Sequence, residues 1–186
     1  KFVSGEDENA KIMGFTLRNG FELFDFTDSA NLDTTALPYI GGGIQLLDSS
    51  PKIEDLIITN NKAAAGAGIS MLNSNPHIFD VQISDNYADT VSVEGDVSFI
   101  TYGGGLCLSS SNPHISHSII TNNNGSYYGG GLFAMNNSSP TITHSNFVNN
   151  SAIAGNEIVT GFNDETFFSN GSGTVTITNS IIYNDK

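Results

Sequence analysis

Three short motifs, returning in fixed order about every 25 residues, predict an all-β fold: a right-handed, single-stranded parallel β-helix, or β-solenoid. The first motif is a glycine run closed by an aliphatic residue. It reads Gly41-Gly42-Gly43-Ile44 and returns at Gly66, Gly103 and Gly129, with a degenerate copy at Gly155-Asn156-Glu157-Ile158. The steps are 25, 37, 26 and 26 residues, so one coil carries an insertion of about a dozen residues. The second motif is a proline, Pro51, Pro76, Pro113 or Pro140, preceded by Ser or Asn and followed two residues on by isoleucine. The third closes the coil, as in Ile58-Thr59-Asn60-Asn61 and Ile120-Thr121-Asn122-Asn123.

Within each coil the apolar residues alternate with period two, the spacing of a strand with one buried face. Ile44 and Leu46 therefore point inward in the first strand, and Leu56 and Ile58 in the second, matched by Val81 and Ile83. In later coils Ser118, Ser145 and Ser180 take the place of Leu56. One coil cannot bury its inner face alone, but copies stacked about 4.8 Å apart build a continuous core. Proline suits the turn before the second strand, where no ladder donor is lost. Continuing the alternation past the third motif places Asn60, Asp85, Asn122, Asn149 and Asn184 inward as a polar ladder. The residue after each, Asn61, Asn86, Asn123, Asn150 or Asp185, is then expected in a left-handed turn, with Gly20 in that place in the first coil.

Composition narrows the partners. The chain has 186 residues, a single domain's worth, with 38% hydrophobic and 13% charged residues. Formal net charge is −13, and no Lys or Arg lies between residues 62 and 186. Nucleic-acid binding requires phosphate neutralisation and is excluded on these terms. Acidic polysaccharide is a poor ligand for so long a negative surface. No apolar run reaches the 18 or so residues of a membrane-spanning helix, so no membrane insertion is expected. The single cysteine, Cys107, can form no intrachain disulfide and is read as a small apolar residue.

The glycine motif Gly41-Gly42-Gly43-Ile44, paired with Phe147-Val148-Asn149-Asn150, resembles the repeats of polymorphic outer membrane proteins. The chain is also similar to the wider group of secreted bacterial right-handed β-helix repeat proteins of the pectin-lyase-like class, over roughly residues 12 to 186. Elsewhere isoleucine stands where that repeat has phenylalanine. The resemblance implies an extracellular or cell-surface setting, often adhesive, within a longer parent protein.

The repeat also locates the insertions, at 21–40, 87–102 and 163–173. The first two leave the same corner of the coil. The first carries Phe24, Phe26 and Tyr39, the second Tyr87, Phe99 and Tyr102, and a short neighbouring loop adds Tyr127 and Tyr128. Aromatic rings stack on sugar faces and carboxylates accept hydroxyl hydrogen bonds, so this set is a candidate glycan-binding patch. The same rings could instead fold back as lids on the solenoid.

Among the acids, Asp25, Asp28, Glu94 and Asp96 are candidate catalytic carboxylates by location, should the chain be a polysaccharide hydrolase or lyase. The Asp-Asp and Gly-His-Gly signatures of pectinase-type glycosidases are absent, as is an Arg or Lys in 63–185 to serve as the base of related lyases. The favoured expectation is therefore a non-enzymatic adhesive module or stalk, binding glycan or protein, with no cofactor. Asp25, Asp28 and Asp33 are the candidate ligands should calcium bind. Asp55, Asp80, His117, His144 and Asn179 share one turn position and should stack, with His77 and His114 forming a second stack nearby. The chain starts in mid-coil and shows no polar cap, so further coils and end-to-end self-association are expected.

Overall fold

A computed structural model of the protein describes residues 1–21, 41–89, 101–160 and 173–185, together with the backbone of 92–93 and 97–98. Among these residues every regular element is a strand, and the long ladders are parallel. The glycine-motif strands Ile44–Leu47, Ile69–Leu72, Leu106–Ser109, Leu132–Met135 and Ile158–Thr160 stack in that order into one sheet. Residues one repeat apart are neighbours, with Ile44 beside Ile69, Leu106 beside Ile69, and Leu132 beside Leu106.

The rest of each coil forms a second sheet with two arms. In two coils the arms are one continuous strand, Lys52–Thr59 and His77–Ser84. In later coils they separate, as in His114–Ser116 and Ile119–Thr121. The bend between the arms is the residue at positive φ: Asp55 at 51°, Asp80 at 53°, His117 at 52°, His144 at 49° and Asn179 at 51°.

The core follows from parity. Ile44, Leu46, Ile53, Leu56, Ile58, Ile69, Met71, Ile78, Val81, Ile83, Leu106, Leu108, Ile115, Ile120, Leu132, Ile142 and Phe147 are all buried in one cluster running through the coils. Two glycine positions have separate reasons. In the motifs after the first, the leading glycine, Gly66, Gly103 or Gly129, sits near φ 60°, where a Cβ is strained. The third is set by proximity: a Cβ on Gly68 would lie 2.5 Å from the Gly105 carbonyl, and one on Gly105 equally close to that of Gly131.

The polar ladder differs from the sequence expectation by one residue. Asn60, Asp85, Asn122 and Asn149 hold positive φ, as does Asn19 in the first coil, while Asn61, Asn86, Asn123 and Asn150 are buried. A left-handed residue reverses the chain direction instead of prolonging the pleat, so the residue after it points inward. Gly20 accordingly stands at the ladder position, and its N–H donates to Asn61 Oδ1 at 2.8 Å. The amides of Asn61, Asn86 and Asn123 each donate to the side-chain oxygen of the next asparagine at 3.0, 3.0 and 2.9 Å. Each Nδ2 also donates back to a carbonyl one coil earlier, Asn86 to Ile58 and Asn123 to Ile83. Asp185 does not join the ladder and is exposed.

The same device recurs at the other two corners. Asp48, Asn73, Ser110 and Asn137 hold positive φ, and the residue after each, Ser49, Ser74, Ser111 or Ser138, is buried. The amide of each of Ser49, Ser74 and Ser111 donates to the next hydroxyl at 3.0–3.1 Å. At the bend, Val81, Ser118 and Ser145 donate in the same way to Ser118, Ser145 and Ser180 at 3.1 Å.

The ladder residue and its turn neighbour have distinguishable roles. Asn123→Ala leaves buried donors and an acceptor unpaired and is expected to cost about 1–3 kcal/mol. Asn122→Gly keeps the left-handed turn and should stay within about 0.5 kcal/mol of wild type. Urea unfolding of both variants checks the assignment, and equal losses would contradict it.

Candidate functional site

Of the aromatic patch expected from the sequence, Tyr87, Tyr102, Tyr127 and Tyr128 are described. Phe24, Phe26, Tyr39 and Phe99 lie outside the described residues, as do Asp25, Asp28, Asp33, Glu94 and Asp96. The ends of the 87–102 segment remain part of the stacked coils. Tyr87 and Ala88 pair with Lys62 and Ala63, and Tyr102 bridges Ala65 and Tyr128. Between them Thr101 is buried, its hydroxyl donating to the Ala88 carbonyl at 3.1 Å.

The four tyrosines divide into two kinds. Tyr102 stacks on Phe133 with ring centroids 4.9 Å apart, and on Tyr128 at 6.1 Å. With Ala65, Cys107, Phe133 and Met135 these two rings make a second apolar cluster. Cys107 and Phe133 point outward from the first sheet, yet both are fully buried. Tyr102 and Tyr128 therefore lie against the solenoid as a covering layer. Tyr87 is 37% exposed, with the Lys62 ammonium 5.4 Å from its ring centroid. Tyr127 is half-buried and tilted against Tyr128.

A second locus, on the outer side of the bend between the two arms, brings the expected turn stack of Asp55, Asp80 and His117 together with apolar residues that sequence reasoning had not grouped with it. Asp55, Ile57, Asp80, Gln82, His117 and Ile119 line a shallow groove of about 200 Å³. Ile57 is 43% exposed, Ile119 45% and the neighbouring Phe79 39%. Parallel register sets Glu54 beside Phe79, Ile57 beside Gln82, and hence Asp55 beside Asp80. The expected stacks form here. His117 lies over His144 and His77 over His114, both with centroids 5.0 Å apart, and Asn179 Nδ2 lies 3.2 Å from His144 Nε2. Phe79 leans on His117 at 5.2 Å. Partial burial, and then the neighbouring His114, hold the His77 pKa below the ordinary histidine value.

The carboxylates in this groove are uncompensated. Lys11 pairs with Glu54 at 2.7 Å and Lys62 with Asp89 at 3.6 Å. Neither Asp55 nor Asp80 has a side-chain ion pair among the described residues. No group of three or more His, Cys, Asp or Glu side chains among the described residues is arranged to hold a metal ion. The signal for the groove was present in the sequence, because Ile57, Phe79 and Ile119 are large apolar residues at outward parity.

The sequence model of one family, described as the right handed beta helix region, matches residues 8–186. The chain belongs to the right-handed β-helix family. Searches of curated proteins and of solved structures return no match. Among the described residues of this β-helix no helix is long and apolar enough to cross a membrane.

Two outcomes follow for the covered face. Tyr102→Ala opens a cavity over Phe133 and is expected to lower stability by about 3 kcal/mol, whereas Tyr87→Ala should cost less than about 1 kcal/mol. Chemical denaturation of the two variants checks this. Burial pushes the Cys107 thiol up to about 12, so the folded protein holds it neutral where an unfolded chain, with a pKa of about 8.5, ionises. Stability from this group is complete below that lower value and is lost as pH rises toward the folded one. At pH 8 a thiol reagent should label Cys107 only after urea is added.

Proposed function

We propose that this β-helix is a non-enzymatic extracellular module, at a bacterial cell surface or secreted, that binds a glycan or protein on its lateral face. The observation that carries this reading is the groove at the bend. Three large apolar side chains, Ile57, Phe79 and Ile119, are each about 40% exposed or more, beside two carboxylates without ion-pair partners among the described residues. Exposed apolar side chains rimmed by polar groups mark interaction surfaces. Net charge of −13 with no Lys or Arg in 63–185 argues for neutral or cationic partners. The extracellular setting rests on the resemblance to secreted bacterial β-helix repeat proteins.

A carbohydrate-active enzyme is the second reading, favoured by one feature of the same groove. Asp55 and Asp80 occupy adjacent coils, about 4.8 Å apart along the backbone. Retaining glycosidases hold their two carboxyl groups roughly 5–5.5 Å apart.

Screening a broad glycan array with the wild type and a Phe79→Ser/Ile119→Ser variant tests the binding reading. Wild type should retain a ligand that the double variant loses by tenfold or more, while a cooperative melting transition shows the variant still folded. Equal binding by the two proteins would remove the groove as the site. Release of reducing ends from a bound glycan, abolished by Asp80→Asn, would favour the enzyme.

A further inference from the structure

We infer that the groove at the bend holds an extended polysaccharide of amino sugars with free amines, lying along the solenoid axis; this rests on the binding reading above and specifies its ligand. The first support is spacing. The groove presents one turn residue per coil, Asp55, Asp80 and His117, the row continues past it with His144 and Asn179, and the coils repeat about every 4.8 Å. That rise is close to the advance of one pyranose ring along an extended chain, so a chain whose alternate rings are flipped returns the same face, and its amine, at every second rung. An extended peptide advances about 3.3 Å per residue and returns a side chain to the same face every two residues. It falls out of step with the rungs within a few coils.

The second support is the chemistry of the walls. Exposed Ile57, Phe79 and Ile119 offer apolar contacts to the C–H faces of sugar rings, and His117 stacks against Phe79. Every rung can exchange hydrogen bonds with a hydroxyl or amine.

Charge supplies the third support. Asp55 and Asp80 have no cationic partner among the described residues, and the nearby Glu54 is already engaged by Lys11. An ammonium on the sugar would compensate the two free carboxylates, whereas uronate or sulfate groups would be repelled. The rungs change from Asp to His to Asn along the axis. Amines should therefore be read mainly at the Asp55–Asp80 end.

The test uses isothermal titration with three hexamers of glucosamine, N-acetylglucosamine and galacturonate, and a lysine hexapeptide as the cationic control. The glucosamine hexamer should bind at least tenfold more tightly than each of the other three. Asp55→Asn/Asp80→Asn should remove most of that preference without unfolding the protein, because asparagine tolerates the positive φ of 51° and 53° at these sites. Folding is checked by the melting temperature. Three results would overturn the inference: no preference for the amine, equal binding of the lysine hexapeptide, or an unchanged preference in the double variant. The broader binding reading fails separately, since it would survive any of these if an array glycan still required Phe79 and Ile119.

Discussion

Most corners of this β-helix are a residue in the left-handed region followed by a buried polar side chain that accepts an amide hydrogen bond from the preceding coil; at the bend, Leu56 and Val81 hold that place until Ser118 takes it. The rest of the structure depends on that pairing. A corner must turn the chain sharply, which leaves a backbone N–H facing the interior with no strand partner. An unpaired buried amide costs about 1–3 kcal/mol, and every coil has three corners. Ser111, Ser118 and Asn123 answer the three cases in one coil, accepting from Ser74, Val81 and Asn86 at 3.0, 3.1 and 3.0 Å. Their own hydroxyl or amide protons go to carbonyls, as Ser118 to Ser116 at 2.9 Å and Asn123 to Ile83 at 2.9 Å. No buried side-chain N or O atom among the described residues lacks a partner. With the corners satisfied, aliphatic side chains can stack like on like between them.

Period and parity were legible in the sequence because they are properties of spacing. The inward sets at Ile44, Leu56 and Ile78, the exchange of Leu56 for Ser118, and the histidine stacks all follow from counting in twos and in coils. The asparagine ladder was displaced by one residue because counting in twos does not survive a left-handed residue. Both positions carry asparagine, so composition could not separate the turn former from the ladder member. Gly20 was the available signal: it stands at the ladder position, not the turn position, and its N–H donates to Asn61 Oδ1. The aromatic set was open to two arrangements in the sequence. Tyr102 and Tyr128 take the covering one, over Cys107 and Phe133 on the outer side of the first sheet.

Glu157 was read as decay of the glycine motif. It stands where the third glycine of earlier coils stands, and its carboxylate is buried. It accepts the Asn150 amide at 3.1 Å and the Asn184 Nδ2 at 2.9 Å, taking the place that the next asparagine fills elsewhere in the ladder. A side chain at this position was excluded in the other coils by the carbonyl of the following glycine motif. Losing the glycine and gaining an acceptor are thus one substitution with two consequences. The lateral groove also depends on the corners. Its floor is the left-handed residue, whose identity is free because only its backbone is constrained, so Asp, His and Asn can follow one another there without disturbing the core.

Native-state hydrogen exchange resolved to single amides tests the central claim most directly. The corner amides of Ser74, Val81, Asn86, Ser111, Ser118 and Asn123 lie outside regular strand ladders or donate to side chains. If the polar ladders hold the coils together, these amides exchange as slowly as those of Ile69 and Leu106 in the first sheet, through the same global opening. Exchange as fast as that of exposed turn amides, with the strands still protected, would show that the corners open locally and that the core alone carries the fold.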